Sequence, residues 1–164
     1  MVEFMTEQLV ARKATATTTL QKAGLIVATV IIAFISLAKI PSFMVFTVGT
    51  MIILDVFLFN RMKVEYEYIC FSGDITIDRI YNKQSRKNYF ATEIKEVDII
   101  APTNAPELRP YGQLKVLDCS SHDPYAKTYT MVAMNKGQKV KVIFEPNQEL
   151  LRGLKTAAPR KVFL

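Results

Sequence analysis

Charge is nearly absent from one part of this sequence. Between Ala23 and Phe59 only Lys39 and Asp55 carry any. Residues able to do chemistry are scarce everywhere. His122 is the single histidine, Cys70 and Cys119 are the only thiols, and the six glycines are scattered. Dispersed glycines form no phosphate cradle, and neither paired acids in a plausible cleft nor a zinc ligand set can be picked out. A Cys119–His122 metal pair would need further ligands, and only Cys70 remains. In "CSSHDPYAK" the residues Cys119, Ser121, His122 and Asp123 are too close in sequence to converge as a triad must, because neighbouring side chains point apart. The stretch reads as a turn closed by Asp-Pro. The expectation is a protein that is not an enzyme, takes no cofactor or metal and does not bind nucleic acid. The two cysteines share no repeated spacing and sit in strand-like surroundings; reduced thiols are the first reading and one disulfide the second.

What is present falls into two populations. The 164 residues suit about one domain, half of them hydrophobic and 22% charged. From Arg61 onward there are 17 Lys and Arg against 12 Asp and Glu, which accounts for +5 of the net +6. Basic charge of that kind is drawn to anionic lipid surfaces.

The apolar population forms two runs, "AGLIVATVIIAFISLA" (residues 23–38) and "FMVFTVGTMIILDVFLF" (residues 43–59), separated by "KIPS". A membrane helix needs about 20 apolar residues, with a lower limit of roughly 17. Pro41 stops one helix and allows the next to start. Residues 23–60 therefore read as a transmembrane hairpin. Arg12, Lys13 and Lys22 precede it and Arg61 and Lys63 follow, whereas the turn has Lys39 alone. Basic flanks stay inside, so the protein is expected in the cytoplasmic membrane, multi-pass, with both termini cytoplasmic. The competing account is a signal peptide cleaved after "SLA"; the long polar leader and the immediate second span oppose it.

Asp55 interrupts the second run. A carboxylate at mid-bilayer costs about 2.5–3.5 kcal/mol and each Leu, Ile, Phe or Val returns roughly 0.3–0.6. That run has eleven of those residues, so insertion survives. Folding the hairpin about residues 39–42 sets Asp55 level with Ile26 and Thr29 level with Ile52. Side chains lean toward their own helix N-terminus, which tilts Thr29 and Asp55 together. A hydrogen bond between these two, acting as structural glue, is expected. Gly24 and Ala28 form a small-xxx-small pair that would allow close helix approach. Ahead of the hairpin lies a cytoplasmic leader, residues 1–22. Its "MVEFMTEQLVARK" puts Val2, Met5 and Leu9 on one helical face, as in an interfacial helix; a frayed tail is the other reading.

After Lys63 the period becomes two. Val64, Tyr66, Tyr68 and Cys70 alternate with Glu65, Glu67, Ile69 and Phe71, Ser72-Gly73 reverses the chain, and "DITIDRIY" returns. Further strands are "KNYFATEI", "EVDIIA", "QLKVLDC", "KTYTMVAMN" and "QKVKVIFE", the last two flanking the hairpin signal Lys136-Gly137. "PNQELLRGLKTAA" (residues 146–158) is an amphipathic helix ended by Pro159. The fold class is thus an α+β membrane protein in which residues 61–164 form a barrel or sandwich of about seven antiparallel strands capped by a C-terminal helix.

Two short spans, "VEYEYICFSGDITIDRIYNKQSRKNYFATEIKEVDII", and a last helix beginning "FEPNQELLRGL" resemble bacterial membrane proteins with a pleckstrin-homology-like domain. More closely, the chain resembles an uncharacterised two-span bacterial family, a domain of unknown function. The resemblance implies a cytoplasmic domain of that fold, whose relatives mostly bind lipids or proteins; fold alone does not fix which.

Two sets of binding residues follow as expectations. Lys83, Arg86 and Lys87 in the loop "NKQSRK", with Arg160 and Lys161 in "PRKVFL", are candidates for anionic lipid. The first reversal carries no base, unlike the phosphoinositide signature of that superfamily, and the C-terminus has fraying as its ordinary state. "APTNAPELRPYG" (residues 101–112) is a long loop stiffened by three prolines, and it offers Leu108, Arg109 and Tyr111 to a partner. The reading is a membrane-anchored scaffold or accessory subunit that presents its domain to a protein partner, with an anionic-lipid sensor as the alternative.

Overall fold

The structure, a computed structural model, describes residues 5–164. It divides into two compact units, one built from the chain up to Lys13 together with Glu65–Leu164, the other from Ala14–Val64.

Among the described residues the first unit contains eight strands in two sheets. One has the order β1 (Met5–Ala11), β2 (Val64–Phe71), β3 (Asp74–Tyr81), β4 (Ser85–Glu93). The other comprises β5 (Val97–Pro102), β6 (Lys115–Asp118), β7 (Tyr129–Asn135) and β8 (Gln138–Phe144), in the order β5-β7-β8-β6. All seven strands expected after Lys63 are found. They do not close into a barrel: the chain leaves β4 through a 3-10 turn, Ile94–Glu96, and β5 pairs with β7. The second sheet is mixed, since β6 runs parallel to β8.

Local chemistry explains the hairpins. Ser72-Gly73 and Lys136-Gly137 adopt φ of 50° and 96°, and of 49° and 81°. Two consecutive positive φ values match the right-handed twist of the flanking strands. Along β2, Val64, Tyr66, Tyr68 and Cys70 are buried and Glu65, Glu67 and Ile69 are half-buried, as the alternation requires. The buried Tyr68 ring meets Phe144 edge-on at 5.8 Å. Both tyrosine hydroxyls find acceptors, Tyr68 at the Cys119 carbonyl (2.7 Å) and Tyr66 at that of Asp118 (3.1 Å). A buried phenol without one would be costly.

Helix α3 (Gln148–Ala157) starts at Asn147, whose side chain accepts from the Leu150 N–H at 2.7 Å, and it buries Leu150, Leu151 and Leu154. The C-terminus beyond it is docked rather than frayed. Val162 is buried and bridges Ile100 of β5, with Ile100 N–H donating to the Lys161 carbonyl and Phe163 N–H to the Ile100 carbonyl, both 2.8 Å.

The leader requires a correction. Met5–Ala11 is no interfacial helix but a strand, antiparallel to β2, with Thr6 and Val10 buried. Val2 of that expectation lies outside the described residues. The β unit therefore begins before the apolar hairpin and resumes after it.

In the second unit α1 (Ala16–Lys39) starts at Thr15, where a capping box with Thr18 satisfies the first N–H groups. A 3-10 turn, Pro41–Phe43, leads into α2 (Met44–Arg61). Both helices are long and apolar enough to cross a membrane, with mean hydropathy of 2.0 and 2.1 over their best windows. Neither has a buried residue. Thr47 and Thr50 return their hydroxyls to the carbonyls of Phe43 and Phe46, satisfying themselves within the helix. Gly24 and Ala28 are both exposed, and no other part of the chain packs against Gly24, so the expected close approach there does not occur.

Candidate functional site

Within the hairpin the Thr29 hydroxyl donates to Asp55 Oδ2 at 2.7 Å, the contact that helix geometry anticipated. Lys22 Nζ instead sits over the Phe59 ring, 5.9 Å from its centroid.

The turn "CSSHD" is held by its neighbours. Ser121 gives both its N–H (2.7 Å) and its hydroxyl (2.8 Å) to Glu145 Oε1, while Asp118 Oδ1 accepts from the Ser120 N–H and hydroxyl. His122, at φ 61°, has Nε2 2.6 Å from Arg12 Nη2 and 3.5 Å from Asp118 Oδ2. Lys13 N–H donates to the Ser121 carbonyl (2.7 Å), and its ammonium pairs with Asp123 at 2.5 Å, holding that carboxyl below its ordinary range. Gln8 bridges the Glu145 carbonyl and the Asn147 N–H, both at 2.7 Å. Burial pushes the Cys119 thiol up to about 12, so it is no nucleophile at neutral pH. The arrangement fastens the N-terminal segment to this turn and to the start of α3. Both cysteines are free and buried. Among the described residues no three His, Cys, Asp or Glu side chains gather as a metal site.

The expected basic residues do not assemble into one patch. Lys83 occupies the β3–β4 turn at φ 58°, and Arg86 is spent on carboxylates, 2.6 Å from Glu67 and 3.9 Å from Asp78. Lys161 Nζ donates to the carbonyls of Lys95 (2.7 Å) and Ile94 (3.3 Å). Arg86 lies near the start of β4 and Ile94 just past its end, so at about 3.3 Å per residue roughly 26 Å of strand separates the two backbone positions. Arg160 is exposed beside Lys161. The proline-rich loop also differs from expectation. Pro106–Tyr111 is a 3-10 helix that turns Leu108 inward, where it packs with Ile99, Ala101 and Val132, and Tyr111 leans on the same cluster. An apolar side chain beside an uncovered sheet gains more from burial than from display. Arg109 alone of the three stays exposed.

Residues 2–164 match the family described as "Bacterial PH-like domain (DUF6106)". The chain belongs to this family. The family carries no assigned function, and no curated protein or solved structure matches the chain significantly.

In this member of the bacterial PH-like family, sequence reasoning missed Arg79. Its guanidinium lies over three tyrosine rings, 5.8 Å from Tyr66, 5.1 Å from Tyr81 and 5.5 Å from Tyr89. Period-two reading of β3 and β4 gathers most of these residues only once the irregularity at Ile77/Asp78 is known.

Proposed function

We propose that this protein is a non-enzymatic binding module anchored in the bacterial cytoplasmic membrane by α1 and α2, presenting a sheet edge to a protein partner on the cytoplasmic side. The anchoring draws support from β1 pairing with β2 across the intervening hairpin. Two spans return a chain to its starting side, and cleavage after the first would remove a strand of the domain. Lipid would cover side chains such as Phe34 and Phe46, which are 70% and 77% exposed. The basic flanks favour the cytoplasmic side.

The observation that carries the partner reading is β1 itself. It is an edge strand whose outward row, Met5, Glu7, Leu9 and Ala11, includes two large apolar side chains, Met5 and Leu9, 61% and 54% exposed, and Met5 stands opposite Phe71, exposed at 48%. An uncovered edge with apolar side chains is a template for an added strand. Leu108 no longer contributes, being buried. Tethering to the bilayer raises the effective concentration toward membrane partners without strong intrinsic affinity.

The test replaces Leu9 by a photocrosslinking amino acid in native membranes. A single reproducible protein adduct that persists at high salt is expected, because apolar contacts are not screened. Adducts with lipid alone, or adducts abolished by salt, would favour the anionic-lipid alternative instead.

A further inference from the structure

Arg79 of β3 and Lys87 of β4 are direct cross-strand partners. Opposed residues of an antiparallel pair share a face, and like charges in that arrangement repel. The nearby carboxylates do not relieve them: Glu67 and Asp78 are engaged by Arg86, one residue along β4 and hence on the opposite face. Among the described residues neither Arg79 nor Lys87 belongs to any salt bridge, and Arg79 Nε is buried without a partner. Arg12, which follows β1, is engaged by His122, its Nη2 2.6 Å from the ring Nε2. Tyr66, driven up by burial, is pulled back by the charges of Arg79 and Arg12, and Cys119 feels the same two cations.

Three tyrosine rings lie within 6 Å of the Arg79 guanidinium, and its unpartnered Nε–H leaves a donor of the planar fork with which to bind an anion. Two cations on one face beside an aromatic cage, one of them with a buried orphan donor, match a doubly charged tetrahedral group better than a single carboxylate. We propose that Arg79 and Lys87, with Tyr66, Tyr81 and Tyr89, form a binding site for the phosphate of a phosphomonoester. This goes beyond the partner reading, which uses the outward row of β1.

The chain contains no tryptophan, so its emission comes from seven tyrosines, three of them at the site. The full chain in phosphatidylcholine nanodiscs is titrated with glycerol 3-phosphate, and a saturable emission change is expected. Lys87→Gln and Arg79→Gln should each weaken it at least about tenfold, equivalent to about 1.4 kcal/mol. Lys83→Gln, on the turn, should stay within about twofold. Lys87 is exposed, so its variant reads the site even where Arg79→Gln fails to fold. Nanodiscs doped with phosphatidic acid separate the sources. Loss of the glycerol 3-phosphate response there identifies a lipid headgroup in the site, and an undiminished response identifies a soluble ligand. No saturable change with either probe, acetate as potent as glycerol 3-phosphate, or equal losses in Lys83→Gln and Lys87→Gln would overturn the proposal.

Discussion

At the residue scale, Cys119 shows how burial becomes a pH dependence. Its side chain has no exposed surface, and burial, reinforced by Asp118, raises the thiol from 9.0 to about 12. The unfolded chain loses this proton near 9 while the folded one keeps it. Between these values the native state binds more protons, so stability falls as pH rises, by up to about 1.4 kcal/mol per pH unit. Denaturant midpoints at pH 8 and pH 10 should therefore converge in Cys119→Ala relative to the parent; equal alkaline losses in both would refute this. Tyr68, also raised by burial, adds its alkaline loss to both proteins and cancels. Some residue contacts are legible from sequence. Thr29 and Asp55 meet because helical rise and side-chain lean depend only on counting. Arg79 could not be found that way, since its rings come from three strands whose register includes an irregularity.

At the element scale, seven strands and α3 are readable because most of their inward residues are apolar and most of their connections carry Gly or Pro signals. β1 inverts that rule. Its inward row is Thr6, Gln8 and Val10, while the apolar Met5 and Leu9 point outward, so the pattern imitates an amphipathic helix. Gln8 belongs inside because the segment between β8 and α3 offers it a carbonyl and an N–H that only the folded chain brings near. The C-terminal "KVFL" misleads similarly, because its fixing bonds are made to Ile100, about sixty residues earlier. Val162→Asp would place a carboxylate against β5 without a partner and should destabilise the β unit by about 3 kcal/mol. Arg160→Ala, on the exposed side, should stay within about 0.5 kcal/mol. Chemical denaturation followed by circular dichroism distinguishes them, and equal effects would mean that the C-terminus does not dock.

At the scale of the whole molecule, the apolar hairpin interrupts a sheet instead of preceding a domain. Met5 to Ala11 pair in register with Phe71 to Glu65, although 52 residues separate Ala11 from Val64 in numbering by way of α1 and α2. The boundary at Arg61 was visible because hydropathy changes there; the boundary before α1 was hidden by polar residues common to leaders and edge strands. One β unit is stitched from both sides of the apolar hairpin, for which we propose insertion in the membrane. Glu7 and Ile69 are opposed in β1 and β2 and face outward, so a Glu7→Cys, Ile69→Cys chain can be oxidised in native membranes and then washed with carbonate. The account predicts an intramolecular disulfide in chains that remain in the membrane pellet. Release of the chain by carbonate, or a pelleted chain that fails to form the disulfide, would contradict it.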